Sequence, residues 1–433
     1  MDEILAYDRR NVWHPYASLS NPPRARRAVR THGVYIETAD GKTLIDGVSS
    51  WWCAAHGHSH PAIVEAMRKQ AETMSHVMFG GFTHAPAVEL ARRIASIAPE
   101  GLDKVFFADS GSISVEVAVK MAIQYQQAKG RPERCKMVAL KGGYHGDTAC
   151  AMALSDPDGM HTLFRGMMPR HCFAPQPSGD DAQSWAAELE KIVDGHRGEI
   201  AGVICEPVFQ AANAMHFYSP EHLAAMRRIC DERDLTLVFD EIAAGFYRTG
   251  PLWAHERSSV SPDVMCIGKA LTGGHISLAA TIASEKTAET ISRGNVGALM
   301  HGPTYMANPL ACAAANASLD LFAAGGYPLS VKRIEDGFRE HLAGTACRRG
   351  VGNVRDVRIM GAVAVVEVER LPERDAIDRV IDETGVWLRP FANYIYAMPP
   401  LVSTGAEVER VCEALAAAAA LPPGREEAGD FHE

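Results

Sequence analysis

Hydrophobic positions in this chain gather into short unbroken runs separated by stretches of helical period. "DKVFFADSGS", "KMVAL", "AGVICEP", "LTLVFDE", "VMCIGK" and "SLAATIA" are apolar almost throughout. Runs of that length and uniformity predict strands buried on both faces, as in a parallel sheet covered by helices. "ISVEVAVKMAIQYQQAKG" intervenes with Val115, Ala118, Val119, Ala122 and Ile123 on one helical face. Ser219 and Pro220 read as an N-cap and first helical position before "EHLAAMRRICDERD". The expected centre of the chain is an α/β domain with a mostly parallel sheet.

The flanks follow another pattern. Residues up to about 48 read as an irregular arm with short strands around "GVYIETADGKTLID", where Asp40-Gly41 is a hairpin signal. Beyond about residue 325 come a helix, antiparallel strands in "VRDVRIMGAVAVVEV", and a last helix through "EVERVCEALAAAAAL". The division expected is an arm with part of a small domain over 1–50, a large domain over 51–325, and the rest of a small α+β domain over 326–433. The alanine run reads as a plain helix face, the tail "PPGREEAGDFHE" is polar and expected to fray, and no internal repeat is visible.

Composition narrows the function classes. The chain has 433 residues, 47% hydrophobic and 22% charged, which suits a globular enzyme of two domains. A net charge of -10 argues against sequence-independent binding to nucleic acid or anionic lipid. Ten cysteines are scattered without a CxxC pair, which suits reduced thiols. The acidic start "MDEILAYDRRN" lacks the apolar core of a secretory signal, and no apolar run is long enough to span a membrane. The expectation is a cytoplasmic protein.

Candidate chemistry collects at the ends of the expected strands. Asp240 closes "LTLVFD", and Lys269, 29 positions on (269 minus 240), follows "VMCIG" among glycines. Open α/β sheets place their ligands at strand C-termini. A lysine amine and a carboxylate so placed suit pyridoxal phosphate: the amine reacts with its aldehyde, and the carboxylate keeps its ring nitrogen protonated. Gly111 and Ser112, where a strand turns into a helix, offer free N–H groups and a helix dipole to a phosphate. Tyr144, behind two glycines in "KGGYHGDT", could lay its ring against a flat cofactor. Each signal taken singly also fits a solvated side chain, a plain N-cap or a packed loop tyrosine. "SSWWCAAHGHSHP" raises a different possibility, because His56, His58 and His60 would share one face of an extended strand. Their spacing, with Gly57, Ser59 and Pro61 among them and no second ligand cluster, does not match a zinc site, and no metal is expected.

The strings "WHPYASL", "DGVSSWW", "HVMFGGFTH", "ADSGSISVEVAVKMA", "YHGDT", "FDEIAAGF", "CIGKALTGG", "HGPTYMANPLACAAANASL" and "GVWLRPFANYIYAMPP" together resemble the class III pyridoxal-phosphate aminotransferases, from Trp13 to about Pro400. The resemblance implies a fold-type I transferase with a seven-stranded sheet, working as a homodimer with active sites between subunits. It implies that Lys269 holds pyridoxal 5'-phosphate and moves the proton, that Asp240 pairs with the ring nitrogen, and that Ile242 and Tyr144 sandwich the ring. Gly111 and Ser112 would hold the phosphate, completed by Pro303 and Thr304 of the neighbouring subunit. Gly302, Tyr16, Trp51, Arg389 and Tyr396 would meet substrate, Arg389 through a carboxylate. "WHPY", "SSWW" and "WLRPF" are the narrower strings. They point to members that pass the amino group of S-adenosylmethionine to 8-amino-7-oxononanoate in biotin biosynthesis.

Three departures from the family pattern bear on pocket shape: "QAANA" over 210–214 where glycines are usual, Tyr247 in place of a glycine, and His275 after the lysine loop. Alternatives stay open: lysine as donor to the same acceptor, another ω-amino-acid transaminase, or a histidine-based binding protein. The ω-amino-acid enzymes usually carry a glutamate after the "EP" motif, where this chain has "VFQAANA".

Overall fold

In a computed structural model the chain is described over residues 2–424, apart from 180, 214 and 344–351. The expected apolar runs form strands of one seven-stranded sheet. Its order is Leu102–Ala108, Ala279–Ser284, Val264–Ile267, Thr236–Asp240, Ile200–Cys205, Lys136–Leu140 and Cys172–Ala174. Ala279–Ser284 runs antiparallel to both neighbours, and the other pairings of the central strands are parallel. Apolar content could not distinguish this strand's direction, because it is as buried as its parallel neighbours. Cys172–Ala174, a three-residue edge strand, is too short to leave a periodic signal.

Alternation along the strands sorts side chains to two faces. Val138, Leu140, Val203, Cys205, Leu237 and Phe239 pack with Trp185, Leu189, Leu223 and Met226 of the helices Ala182–Gly195 and Glu221–Arg233. Met137, Ala139, Ile204, Val238 and Cys266 face the helix Gly111–Ala128, whose Val115, Ala118, Val119 and Ala122 are buried as the pattern required. Ile123 is only half-buried, and Val117, Met121 and Tyr125 are buried too, because this helix is enclosed on more than one side.

The two chain ends meet in smaller sheets. Tyr35–Thr38 and Thr43–Asp46 form the hairpin expected at Asp40-Gly41, and Val386–Trp387 adds to it in parallel. Val354–Met360 and Val363–Val368 are antiparallel, with Tyr394–Ala397 beside them. The last helix, Gly405–Ala419, opens on a capping box between Thr404 and Glu407.

Several local expectations are corrected. The arm is not wholly irregular, since Asp2 caps a helix over Glu3–Asn11. Pro220 itself occupies the capping position before Glu221–Arg233, one residue later than the Ser219 cap the sequence pattern implies. His56 lies in a turn, His58 makes an isolated bridge with Gly33 and His60 caps the helix Pro61–Thr73, so the three do not share a strand face. Among the described residues no two cysteines form a disulfide. The polar tail beyond residue 424 lies outside the described residues.

Candidate active site

Lys269, Asp240, Gly111 and Tyr144 all stand just past, or at, the C-terminal ends of central-sheet strands. Asp240 is the last residue of its strand and is buried. Its Oδ2 lies 2.8 Å from His145 Nδ1, and its Oδ1 accepts the Ile242 N–H at 3.1 Å. Burial opposes charge on His145, yet the Asp240 bond and the charges of Asp240 and Glu206 raise its pKa above the ordinary histidine value. Glu206, also buried, accepts the N–H groups of Tyr144 and Ala211, each at 3.0 Å. Burial pushes its carboxyl up to about 7, with His145 opposing and Asp240 adding to the shift.

Lys269 opens a 3-10 turn in a left-handed conformation, φ 44°, after Gly268. Its Nζ lies 4.6 Å from the centre of the Trp52 ring. Burial drives its amine pKa down, against the opposing charges of Asp240 and Glu206. A buried amine so depressed is a better nucleophile and proton acceptor than a solvated one.

Three glycines keep the space beside these groups open. A Cβ on Gly111 would lie 3.1 Å from Ile242 Cδ1, and one on Gly268 would lie 3.5 Å from Ile242 Cγ2. At Gly146, φ +122°, a Cβ would fall 2.0 Å from Ser112 Oγ. Ile242 is thereby packed against the N-terminus of an 18-residue helix whose first turn carries Gly111 and Ser112. A helix N-terminus for a phosphate, an aliphatic side chain beside a flat space, a buried carboxylate and a buried amine together fit pyridoxal 5'-phosphate.

The pocket wall comes from a strained segment. Ser49, Ser50, Trp51 and Trp52 make a single left-handed helical turn, with φ of 47°, 47°, 58° and 72°. Each such residue costs roughly 1–2 kcal/mol. The turn is held by Ser50 Oγ donating to Asp46 at 2.8 Å, by Ser49 Oγ donating to Met398 O at 2.6 Å, and by the buried Arg248 guanidinium, which reaches Ser49, Ala362 O and Pro399 O. Burial lowers Arg248 to about 9. The outcome is an exposed Trp51 and a buried Trp52 facing Lys269. Tyr396 is buried edge-on against Trp52, with ring centres 6.3 Å apart.

Of the other expected site residues, Arg389 lies 6.0 Å from the Trp51 ring and donates only to Pro390 O; among the described residues no carboxylate pairs with it. Tyr16, on the arm, donates to Asp147 Oδ2 at 2.5 Å. Gly302, Pro303 and Thr304 are not brought to this cluster. Their loop is tied instead to the 76–82 segment, where His76 Nε2 meets Thr304 O at 2.6 Å and the His76 and Tyr305 rings are 4.9 Å apart.

The three departures are largely structural. Tyr247 adopts φ 66°, which explains why a glycine is usual there; it stacks on Tyr327 and packs at a tilt against Phe322. Gln210 bridges Lys141 O and Gln176, bracing the Tyr144 loop, while Ala214 lies outside the described residues. His275 meets Gly273 O at 3.0 Å. His56 is buried, bonded to Ser318 and Tyr327, and packs near Gly273 of the lysine loop. Among the described residues no group of three histidine, cysteine or acidic side chains could hold a metal ion. The sequence reading missed Trp52, His145, Asp147 and Glu206, all visible inside quoted motifs but not singled out. It missed His161 with no motif to flag it.

Fold and site define a pyridoxal-phosphate transferase of the aminotransferase type, and the comparison with known families agrees. Residues 17–419 match the family "Aminotransferase class-III", and the chain belongs to it. Enzymes of this family depend on pyridoxal 5'-phosphate. Among its relatives, a protein named adenosylmethionine-8-amino-7-oxononanoate aminotransferase from Corynebacterium glutamicum is 44% identical, covering 95% of this chain and 97% of its own. One from Mycobacterium leprae is also 44% identical, covering 97% of each. The crystal structure of the enzyme so named from Methanocaldococcus jannaschii superposes with a TM-score of 0.88 at 30% identity, covering 96% of this chain and 99% of that one.

Proposed function

We propose that this aminotransferase passes the amino group of S-adenosylmethionine to 8-amino-7-oxononanoate, giving 7,8-diaminononanoate for biotin biosynthesis, by a ping-pong sequence in the cytoplasm. The observation that carries the reading is the buried amine of Lys269, against Trp52 and electrostatically coupled to Asp240, inside a wall that also offers Trp51 and Arg389. The names and 44% identity of the relatives support the choice of substrates.

Pyridoxal 5'-phosphate supplies an aldehyde to take up amines and a ring to accept electrons when a neighbouring C–H bond loses its proton. Lys269 would hold it, and its depressed amine can accept a proton at Nζ and later release it. Asp240, fixed by His145 and by the Ile242 N–H, would pair with the protonated ring nitrogen. Gly111 and Ser112 would hold the phosphate, and Ile242 and Tyr144 would bracket the ring. Arg389, which pairs with no carboxylate among the described residues, can take one from a substrate. Trp51, Trp52 and Tyr16 suit both substrates in turn, since a ring face attracts a sulfonium cation and also packs a polymethylene chain.

The active unit in this reading is a homodimer. The 302–304 loop and the exposed Met78, Phe82, Met300 and Tyr305 support it, because together they offer an apolar surface beside the loop that would complete the partner's phosphate site. No binding to nucleic acid or membrane is part of it.

A screen of amino donors with 8-amino-7-oxononanoate as acceptor tests the function. S-adenosylmethionine should support turnover well above lysine, 4-aminobutyrate or acetylornithine. Turnover no better than background with S-adenosylmethionine would overturn the reading.

A further inference from the structure

The helix Gly111–Ala128 makes a second set of contacts well beyond its first turn. Lys120 and Gln124, four residues apart, stand on one face of it. Both reach the irregular connection between the helices Glu285–Arg293 and Pro309–Ala323. Gln124 grips that connection twice: its Nε2 donates to Ala298 O at 3.0 Å, and its Oε1 accepts the Met300 N–H at 2.9 Å. Lys120 Nζ lies 3.0 Å from His301 Nδ1, which accepts because an ammonium can only donate. The His301 ring meets Phe106 edge-on with centres 6.0 Å apart, and Leu299 packs against the buried cluster that includes Val117 and Met121 of the helix.

An amide that donates to one backbone group and accepts from another two residues on holds the intervening chain in one register. Ala298 and Met300 are exposed, so water can satisfy either group, and the clamp sets position rather than filling a buried need. Gly302, Pro303 and Thr304 follow directly. From Ser112 to Gln124 the helix rises roughly 18 Å, at about 1.5 Å per residue. That is too far for the Gln124 side chain to touch the phosphate site of its own chain.

We propose that Gln124, supported by Lys120, is a positioning residue for the cofactor site of the other subunit. It fixes the 298–301 segment so that Pro303 and Thr304 are presented to the partner's phosphate. The first turn of the same helix holds phosphate in its own subunit, so one rigid helix serves two sites. The proposal rests on the homodimer with shared sites argued above.

Paired hybrid dimers separate action on the partner from action on the same chain. Gln124→Leu removes both hydrogen bonds, and its homodimer should bind pyridoxal 5'-phosphate about tenfold more weakly, as for one lost hydrogen bond to a charged group. Lys269→Ala in one subunit leaves a single site per hybrid where lysine can hold the cofactor, and the visible absorbance of that site is followed during titration. With Gln124→Leu and Lys269→Ala on one chain and the other chain wild type, affinity at the remaining site should fall about tenfold. With the two changes on different chains, affinity there should stay within about threefold of wild type. The reverse pattern, equal affinity in the two hybrids, or wild-type affinity in the Gln124→Leu homodimer would overturn the assignment while leaving the dimer intact. A wild-type enzyme that sediments as a monomer would overturn the shared-site reading and the assignment with it. If Gln124→Leu does not fold, Lys120→Met, which removes only the bond to His301, goes through the same two hybrids. A weakening of at least about threefold is then expected only where it shares a chain with Lys269→Ala.

Discussion

His56 shows how a residue conspicuous in the sequence can have a plain physical task. It stands in "AAHGHSHP", where three alternating histidines suggest a ligand face, yet it is buried against Phe322 and bonded to Ser318 and Tyr327. Burial drives its pKa down to about 3, with His60 and His275 adding to the shift. The sign follows from the folded value lying below the unfolded one. As pH falls below about 6.5 the unfolded chain takes up a proton that the folded chain refuses, and stability drops until about pH 3. The slope contributed is at most about 1.4 kcal/mol per pH unit. Replacing it as His56→Asn should make the acid limb of a melting-temperature profile shallower than in wild type, while lowering stability at pH 8. Parallel profiles for the two proteins between pH 6.5 and 4 would count against this burial argument. Lys269 and Asp240, in contrast, could be picked out from sequence because strand-end position and residue chemistry coincide. Trp52 could not be preferred to Trp51 without the fold. Only the left-handed turn decides which of two adjacent tryptophans is buried over the lysine.

At the level of elements, the sheet was largely readable because its strands are apolar on both faces, while the junctions that shape the site were not. The loop Lys141–Thr148 is an example. It is pinned by Glu206 through the Tyr144 N–H, by Gln210 through Lys141 O and by Ser155 through the His145 N–H. Gly146 within it passes close to Ser112, with no space for a Cβ and a φ that L side chains rarely adopt. Gly146→Ala should therefore displace the first turn of the Gly111–Ala128 helix. Affinity for pyridoxal 5'-phosphate should fall by at least about tenfold, with folding stability lowered by roughly 1–3 kcal/mol. Cofactor titration of the apoenzyme reads the first and denaturant unfolding the second; wild-type affinity would show that the junction does not shape the phosphate site. The unassuming "YHGDT" carries His145 and Asp147 to different partners, Asp240 below and Tyr16 above. That division of labour depends on how the loop crosses the sheet edge, which local sequence does not encode.

For the whole molecule, the decisive feature is that a loop expected to serve the cofactor is not brought to it within the chain. Gly302, Pro303 and Thr304 stand with the 76–82 segment beside exposed Met78, Phe82, Met300 and Tyr305. In the homodimer proposed above, a charge in that patch should separate the subunits: Phe82→Glu is expected to run as a folded monomer and to lose at least about tenfold of its activity per chain. Sedimentation, circular dichroism and turnover would check this, and a dimer that persists, or a monomer of full activity, would refute the shared site. Apolar periodicity fixed the α/β class, most of the central strands and the helix Gly111–Ala128, because burial on both sides of a sheet leaves an unbroken signature. Residue chemistry at strand ends marked Lys269 and Asp240. The tertiary structure alone decided the reversed direction of Ala279–Ser284, the left-handed turn at Ser49–Trp52, and the joining of Tyr16, Asp147 and His161 across 145 positions of chain (161 minus 16). Those features come from contacts between segments far apart in sequence, and their local residue patterns allow more than one conformation until the rest of the chain is in place.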